Sequence, residues 1–349
     1  MPAPSAATIS IDPASIDDAL VDRAAAAIRA GHLVAIPTET VYGLGCNALD
    51  PDAVAGVFLA KARPATDPLI VHVDGVAMAE TVVEGTLPPT AARLADEFWP
   101  GPLTMVLPKA EVVPDAITSS GPTVGVRCPA HPVAAAIITA AGVPVAAPSA
   151  NRFGRISPTS ASHVHEELGD RIDLIVDAGR AHHGLESTVV TFDGEAIVIL
   201  RHGAITAETL GAFGSVRDVG ADEHARSAAP GHDMRHYSPT TPTIATTAPP
   251  ADAPAGDVIF AGYAGAPVEL PEGWRFEPLG DRNDLAAVGH ALYDTLRRLD
   301  AAGPALIVIE LTKSGGIGRA IDDRLTRAAS GVVATDAPAL TAVVTRALG

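Results

Sequence analysis

The chain has 349 residues, of which 47% are hydrophobic and 19% charged, and its formal net charge is −17 at pH 7. This length exceeds what one domain of about 100–200 residues needs, so we expect more than one core. The acidic balance disfavours a protein that grips duplex nucleic acid, because such a protein needs a basic face. Local clusters of positive charge are therefore informative.

The N-terminal segment MPAPSAATIS has neither the charged n-region nor the apolar h-region of a signal peptide. The most apolar stretch, residues 133–150, is interrupted by a glycine and two prolines and is too broken to span a bilayer. We therefore expect a soluble, cytoplasmic protein without a membrane partner. Cys46 and Cys128 fit neither a disulfide framework nor a zinc site, and we expect two reduced, apolar side chains.

Helical and strand patterns alternate over the first 212 residues, which predicts a mixed sheet covered by helices. We expect Ser15 to cap the first helix and Gly31 to follow its end. The predicted elements, in chain order, are a helix over 15–30, a strand over 32–37, a glycine-rich loop, a helix near 51–60, a strand over 69–73, a helix near 89–97, strands over 103–108 and 123–127, a helix over 131–141, a strand over 143–147, a helix over 158–168, and strands over 171–176, 187–192 and 196–201.

The periodicity fades over residues 213–240, which are typical of a linker or loop. A smaller α/β pattern then returns. It predicts a strand over 257–262, a long helix over 282–303, a buried strand over 305–311 and a second helix that opens within 315–330.

A dinucleotide-binding fingerprint is the first candidate site, because Gly43 to Ala48 matches G-x-G-x-x-A between a predicted strand and a helix. The polar run of residues 38–40 intervenes, however, and no acidic residue closes a second strand about 20 residues on. The pair Gly316 and Gly318 lacks the third small residue, and no lysine follows a glycine as a Walker A loop requires. We therefore expect neither NAD nor a P-loop.

The stretch KARPATDPLIVHV (residues 61–73) offers a different phosphate site. Lys61 and Arg63 lie at a predicted helix-to-loop junction between stiffening prolines. Ammonium and guanidinium groups are natural partners of phosphate oxygens. The alternative is a pair of solvated cations favoured by the dipole at a helix C-terminus.

Two further cations end predicted strands, Arg127 after TVGVR and Arg201 after AIVILR. Such cations point to one edge of the sheet of an α/β protein, where ligands usually bind. The loop AAPSAN (146–151) follows a buried strand and lets backbone amides approach a ligand, although an ordinary turn is the alternative. His72 alternates with apolar residues, which also fits a satisfied core histidine.

Together these residues resemble the YrdC/Sua5 family, the L-threonylcarbamoyladenylate synthases of tRNA modification. The shared motifs, in their usual order, are PTETVYGLG, the K-x-R of residues 61–63 followed by DPLIVHV, FWPGPLT, VRCPAHP, PSAN and GLESTVV. PGHDMRHYSP resembles the linker of the longer, Sua5-type members, and GIGRAIDDRL resembles their C-terminal domain. The resemblance runs from about residue 13 to the end. Ala62 and Asp67 depart from it, because many members carry Gly and Asn there.

The resemblance implies an α/β fold with a YrdC-like twisted mixed sheet and flanking helices, plus a smaller Rossmann-like α/β C-terminal domain. It divides the chain into a YrdC-like catalytic domain over 1–212, a linker or lid over 213–240 and a Sua5 C-terminal domain over 241–349.

The implied reaction joins L-threonine, bicarbonate and ATP into threonylcarbamoyl-adenylate and releases pyrophosphate. Another enzyme, a threonylcarbamoyl-transferase, then passes the group to adenosine 37 of tRNAs that read ANN codons. Mg²⁺ is expected with the ATP, and stable nucleic-acid binding is not. The chemistry needs positioning and electrostatics rather than a covalent nucleophile.

The matched positions imply two groups of site residues, with Lys61 and Arg63 as the catalytic pair. Arg127 would pair with the threonine carboxylate, and Tyr237 would reach back from the linker over the nucleotide. The implied threonine-binding residues are Thr40, His72, Arg127, Ala147 and Ser187. The implied ATP-binding residues are Lys61, Arg63, Asp67, Thr123, Ser149, Asn151, Ser157, Arg201 and Tyr237.

Three alternative functions are open to the sequence. An RNA-binding module would need a basic groove that the net charge of −17 disfavours. A carbamoyltransferase with a YrdC-like domain would usually carry extra zinc-binding or transferase domains, which the sequence does not show. A purely structural role leaves the linker motif and the four cations unexplained.

Overall fold

The computed structural model describes residues 5–219, 236–250, 252–264 and 269–349. The chain forms two compact units. The first unit takes Met1–Phe153 and Ser157–His232, and the second takes Gly154–Ile156 and Asp233–Gly349. Residues 220–235 of the predicted linker lie outside the described residues, and the predicted domain boundaries stay predictions.

The first unit is built on a mixed sheet of eleven described strands. The strands are β1 (Ala7–Ser10), β2 (Val34–Ile36), β3 (Gly43–Asn47), β4 (Ile70–His72), β5 (Leu103–Pro108), β6 (Thr123–Arg127), β7 (Val145–Ala146), β8 (Leu174–Asp177), β9 (Thr188–Asp193), β10 (Ala196–Arg201) and β11 (Val216–Asp218). The helices are α1 (Asp18–Arg29), α2 (Pro51–Lys61), α3 (Val76–Ala79), α4 (Pro89–Phe98), α5 (Asp115–Thr118), α6 (Pro132–Ala141), α7 (Ala161–Leu168) and α8 (Ala207–Leu210).

The strand order is β1-β8-β2-β3-β7-β4-β6-β5-β9-β10-β11. The sheet combines parallel pairs (β1 with β8, β8 with β2, β4 with β6, β5 with β9 and β10 with β11) with antiparallel pairs, so the predicted mixed sheet is confirmed. Ala35 belongs to one apolar cluster and its neighbours Val34 and Ile36 belong to another. Because successive side chains of a strand point to opposite faces, the sheet has a core on each side.

The sheet directions bring three predicted site residues to one edge. β4 and β6 are parallel, and His72 pairs with Arg127 where both strands end. β5 runs against β6, β9 runs along β5, and β10 runs against β9, so β10 has the direction of β6. Arg201 therefore ends its strand at the same edge as His72 and Arg127.

The predicted glycine-rich loop at residues 43–45 is wrong, because these residues open strand β3. A Cβ atom on Gly45 would lie 3.0 Å from the carbonyl oxygen of Val34 and 3.2 Å from Cγ1 of Val145. A Cβ atom on Gly43 would lie 3.1 Å from that of Ala147. The glycines thus allow close strand packing, which also accounts for the dinucleotide-like spacing.

The predicted start of α1 is also wrong, because Asp17 rather than Ser15 is its N-cap. The Asp17 carboxylate accepts hydrogen bonds from the backbone N–H groups of Ala19 and Leu20, which the first helical turn leaves without intrahelical partners. Gly31 follows the helix with a φ of 84°, in the left-handed region that its predicted position requires.

The second unit contains a smaller sheet whose five described strands are all parallel, in the order β14-β13-β15-β12-β16. This confirms the predicted smaller α/β architecture. The strands are β12 (Thr243–Thr246), β13 (Val258–Ala264), β14 (Trp274–Asp281), β15 (Leu306–Glu310) and β16 (Val333–Ala334), and the helices are α9 (Leu285–Ala301), α10 (Ile317–Ala328) and α11 (Ala337–Leu348). Within the described residues, no helix combines the length and the hydropathy that a membrane crossing requires.

Candidate functional site

The turn between β2 and β3 is held by hydrogen bonds and carries the first polar groups of the site. Thr38 Oγ1 donates to the carbonyl oxygen of Val41 at 2.6 Å and accepts from the backbone N–H groups of Thr40 (3.2 Å) and Val41 (3.3 Å). The backbone N–H of His183 donates to the carbonyl oxygen of Glu39 at 2.7 Å. The side chains of Glu39 and Thr40 are thus carried by a backbone that is fixed at both ends.

Arg127 contacts three other residues of this region. Its Nη1 donates to Thr40 Oγ1 at 2.9 Å, its Nη2 lies 2.6 Å from Oε1 of Glu39, and its Nε donates to the carbonyl oxygen of Gly101 at 3.2 Å. Arg127 is 4% exposed and Glu39 is 6% exposed. The structure therefore buries an ion pair at the sheet edge, between the end of β6 and the turn that joins β2 to β3.

The charges in this region are set by burial and by Arg127. Burial would raise the pKa of Glu39, but the Arg127 guanidinium outweighs it, and the pKa of Glu39 lies below its usual value. Burial first and Arg127 second lower the pKa of His72 to about 3, so its imidazole is neutral at physiological pH. Nδ1 of His72 has no hydrogen bond within the described residues, while backbone contacts at Ile70 and Val145 partly offset the lowering of the His72 pKa.

Lys61 is the last residue of α2 and is 1% exposed. Its Nζ donates to the carbonyl oxygens of Ser149 and Asn151 in the PSAN segment. Burial, and after it the Arg63 charge, lower the pKa of Lys61 well below its ordinary value. The alternative of a solvated helix-end cation is therefore wrong for Lys61.

Arg63 is also buried, at 7% exposure, and is held by the segment that precedes β4. Its Nη2 lies 2.9 Å from Oδ2 of Asp67 and donates to the carbonyl oxygen of Pro68 at 2.8 Å, and its Nε donates to the carbonyl oxygen of Asp67 at 3.0 Å. The Phe153 ring lies 5.9 Å from the guanidinium carbon. These contacts fix the plane of the guanidinium group.

Backbone contacts connect PSAN with the sheet, because Leu44 N donates to the carbonyl oxygen of Pro148 at 2.7 Å and Ser149 forms a bridge with Gly43. Ala147 N, just before the segment, donates to the carbonyl oxygen of Ile70 at 3.0 Å. Thr123 begins β6 and Arg127 ends it, so the two lie about 13 Å apart along the strand. The pairing of Gly125 with Ile70 directs Thr123 toward residues 67–69, on the Arg63 side.

Ser187 and Arg201 contact each other, although the resemblance assigns them to different substrates. Arg201 donates to the carbonyl oxygen of Ser187 through Nε at 3.2 Å and Nη2 at 3.0 Å, and Nη2 also lies 3.1 Å from Ser187 Oγ. Thr104 Oγ1 lies 2.8 Å from Ser187 Oγ. Ser157 Oγ donates to Oε1 of Glu186 at 2.7 Å.

Tyr237 belongs to the second unit. Its ring stacks on Tyr293 at 5.4 Å between centroids, and the guanidinium carbon of Arg324 lies 5.5 Å from its centroid. Its φ of 60° is unusual for a residue with a side chain. The contact of Tyr237 with a nucleotide stays a prediction.

Sequence reasoning missed Glu39, Thr104 and Glu186. From the sequence alone, Glu39 is only one member of a polar run. The feature that could have identified it as a site residue is its position between two threonines in the PTETVYGLG motif. Thr104 carried no signal, because one hydroxyl in an apolar strand is common. Its role depends on the pairing of β5 with β9.

Comparisons with known proteins agree along the chain. A family model described as "Telomere recombination" (Sua5, YciO and YrdC) matches residues 26–203, and one described as "Threonylcarbamoyl-AMP synthase, C-terminal domain" matches residues 205–330. The threonylcarbamoyl-AMP synthase of Pyrococcus abyssi is 39% identical over 317 residues, covering 87% of this chain and 92% of the relative. That of Bacillus subtilis is 38% identical over 347 residues, covering 92% and 96%.

A solved structure is also similar, the crystal structure of P. abyssi Sua5 complexed with L-threonine. It superposes with a TM-score of 0.84 at 36% identity, and covers 94% of this chain and 99% of that chain.

Proposed function

The chain belongs to the YrdC/Sua5 family of threonylcarbamoyl-AMP synthases, and on this premise we propose that it joins L-threonine, bicarbonate and ATP into threonylcarbamoyl-adenylate with release of pyrophosphate. The observation that carries the proposal is the set of buried cations. Lys61, Arg63, Arg127 and Arg201 are each at least 92% buried on a chain of net charge −17. Burying a cation is costly unless an anion or a polar partner compensates it, so each of these sites has a specific use.

The reaction places three demands on the protein. The threonine amine must meet the carbonate carbon, a carbamate oxygen must attack the α-phosphate in line, and the triphosphate charge must be neutralised. No step needs a covalent bond to the enzyme. Fixed donors and cations therefore supply the catalysis, because they lower the barrier only when they are already in place.

The residues proposed to bind threonine are assigned to the sheet edge. Arg127 pairs with the threonine carboxylate, since a guanidinium group can donate two parallel hydrogen bonds to a carboxylate. The L-threonine in the P. abyssi structure supports this substrate. Thr40 and the neutral His72 offer a hydroxyl and an imidazole beside Arg127, and Ala147 and Ser187 complete the group.

The residues proposed to bind ATP are assigned to the PSAN segment and to the surroundings of Arg63. Lys61 and Arg63 contact the phosphates, where they neutralise charge during the displacement. In the structure Lys61 donates to two carbonyl oxygens. Nucleotide binding replaces those neutral partners with phosphate oxygens, which raises the pKa of Lys61 and favours its charged form. Asp67, Thr123, Ser149, Asn151, Ser157, Arg201 and Tyr237 are the further ATP-binding residues of the proposal.

Mg²⁺ is proposed to enter with the ATP. The described residues hold no group of three or more His, Cys, Asp or Glu side chains that could bind a metal. Asp67, a carboxylate among the proposed ATP-binding residues, is already paired with Arg63. The residues present therefore fit a Mg²⁺ ion that the triphosphate and water hold, which is common for this ion.

The product is proposed to serve a threonylcarbamoyl-transferase that modifies adenosine 37 of tRNAs reading ANN codons, in the cytoplasm. The linker over residues 213–240 is proposed to act as a lid that protects the carbamate and the adenylate from water. Its central part, residues 220–235, lies outside the described residues, so the proposal rests on the sequence motif alone.

The direct test is incubation of the purified protein with ATP, bicarbonate and L-threonine. We expect pyrophosphate release that requires all three substrates, together with threonylcarbamoyl-adenylate detected by mass spectrometry. Pyrophosphate that forms without threonine or without bicarbonate would contradict the proposed reaction.

A further inference from the structure

Glu39 is a buried carboxylate that the proposed function leaves without a role. It is 6% exposed, and its Oε1 lies 2.6 Å from Nη2 of Arg127. Within the described residues, neither oxygen of Glu39 makes a hydrogen bond of good geometry, and the same holds for Nη2 of Arg127. Burial raises the pKa of Glu39, and the Arg127 guanidinium together with the nearby backbone of Glu39 and Ala130 outweighs it. Both partners of this ion pair therefore keep hydrogen-bonding capacity that a ligand can use.

The nearby imidazoles do not supply a second positive charge. His72 lies opposite Arg127 in the strand register, and His131 is close enough to Glu39 for an electrostatic interaction. Burial lowers the pKa of both histidines, so both are neutral at pH 7. Among these neighbours, Arg127 is thus the cation that balances Glu39.

We propose that Glu39 binds the α-ammonium group of the amino-acid substrate while Arg127 binds its α-carboxylate. The inference rests on the proposed function, because it takes L-threonine as the occupant. An amino-acid zwitterion that enters between the two side chains gives each of them a partner of opposite charge. No buried charge is then left unpaired.

The same pair excludes carboxylic acids that lack an ammonium group. Such a ligand would attract Arg127 and leave Glu39 as a buried carboxylate without a cation. Removing one partner of a buried ion pair is strongly unfavourable, because the remaining charge has lost its hydration. Glu39 therefore gives the site its selectivity for α-amino acids.

The backbone at Glu39 is suited to this task. Its carbonyl oxygen accepts from His183 N, and Thr38 holds the turn through three hydrogen bonds. A carboxylate on a fixed backbone loses little conformational entropy when it binds the substrate.

The experiment measures the binding of two ligands by calorimetry, L-threonine and 2,3-dihydroxybutanoate of the same configuration. The second ligand carries a hydroxyl group in place of the ammonium group. Wild-type protein should prefer threonine at least 10-fold. Glu39→Gln should lose at least 10-fold in affinity for threonine and keep or gain affinity for the hydroxy acid, because the amide needs no cation. Glu97→Gln, at an exposed position of α4, should change neither affinity.

Three results would overturn the inference. Equal loss of both ligands in Glu39→Gln would mean that Glu39 only positions Arg127. Unchanged threonine affinity would mean that Glu39 does not contact the substrate. If Glu39→Gln fails to fold, equal wild-type affinity for the two ligands would be the overturning result. Wild-type protein that binds neither ligand would instead contradict the proposed function, which keeps the two failures distinguishable.

Discussion

His72 and Arg127 lie directly opposite each other at the ends of two parallel strands. Burial and this neighbouring guanidinium group bring the pKa of His72 to about 3. An unfolded chain has no such environment, and a histidine there titrates near pH 6.5. Protonation therefore favours the unfolded state.

We predict that His72→Gln reduces the acid sensitivity of the first unit. Because the folded pKa lies below the unfolded one, the contribution of His72 to stability is full above pH 6.5 and is lost as the pH falls toward 3. Between pH 7 and pH 5 this loss amounts to about 2 kcal/mol. Urea unfolding of wild type and variant at both pH values measures it.

The chain offers a specific probe and a control for this measurement. Its two tryptophans are Trp99 in the first unit and Trp274 in the second, so a Trp274→Phe background lets fluorescence report the first unit. His32→Gln, at an exposed position, should behave like wild type. Equal acid sensitivity of wild type and His72→Gln would contradict the assigned protonation state.

We predict that Arg63→Ala lowers the rate of pyrophosphate release at least 100-fold in protein that still folds, although the loss of the partner of buried Asp67 lowers the free energy of unfolding. The guanidinium group is held in one plane by Asp67 and Pro68, and its loss removes a fixed positive charge from the proposed phosphate site. Initial rates under saturating substrates measure the effect. Arg23→Ala, on an exposed position of α1, is the control. An active Arg63→Ala enzyme would mean that the phosphates bind elsewhere.

We predict opposite effects of two glycine-to-alanine substitutions in neighbouring elements. Gly45→Ala brings a methyl group within 3.0 Å of the Val34 carbonyl oxygen and should destabilise the protein by about 1–3 kcal/mol. Gly56→Ala in α2 meets its nearest atom, in Leu33, at 3.6 Å and should stabilise the helix by about 0.5–1 kcal/mol. Urea unfolding compares the two. Destabilisation of the same size in both would remove the close-packing explanation for β3.

We predict that a chain truncated after residue 219 consumes ATP without forming a matching amount of product. The cut removes most of the proposed lid (residues 220–240) together with the predicted C-terminal domain, and it keeps β11, which pairs with β10 next to Arg201. The measured quantity is the ratio of ATP consumed to threonylcarbamoyl-adenylate formed, with the full-length protein as the reference. An unchanged ratio would contradict the lid proposal.

Sequence patterns predicted the central strands well. The observed bounds of β5, β6 and β10 match the predicted ones, because short, mostly apolar runs that end in proline or arginine favour strands with those bounds. β3 was missed because its two glycines are typical of loops. Their function depends on the spacing to β2 and β7, which local sequence does not encode.

The substrate contacts of the candidate site stay predictions, but the burial of its cations can be compared with the sequence. The four cations stand out against an acidic chain, and the structure buries all of them. Glu39 was missed because its meaning comes from Arg127, and the Thr40 and Arg127 side chains that meet beside it are 87 residues apart in sequence. Such long-range contacts follow from strand order rather than from local pattern.

The strand order also bears on how the protein is made. Ala7 of β1 pairs with Leu174 of β8. The ribosome must therefore add 167 further residues after Ala7 before this pair of strands can form. At about 5–20 residues per second, this delay is roughly 8–33 seconds on the ribosome. Arg201 emerges later still, so a nascent chain lacks part of the proposed nucleotide site until β10 is synthesised. Until then, unpaired strand edges of the incomplete sheet favour aggregation.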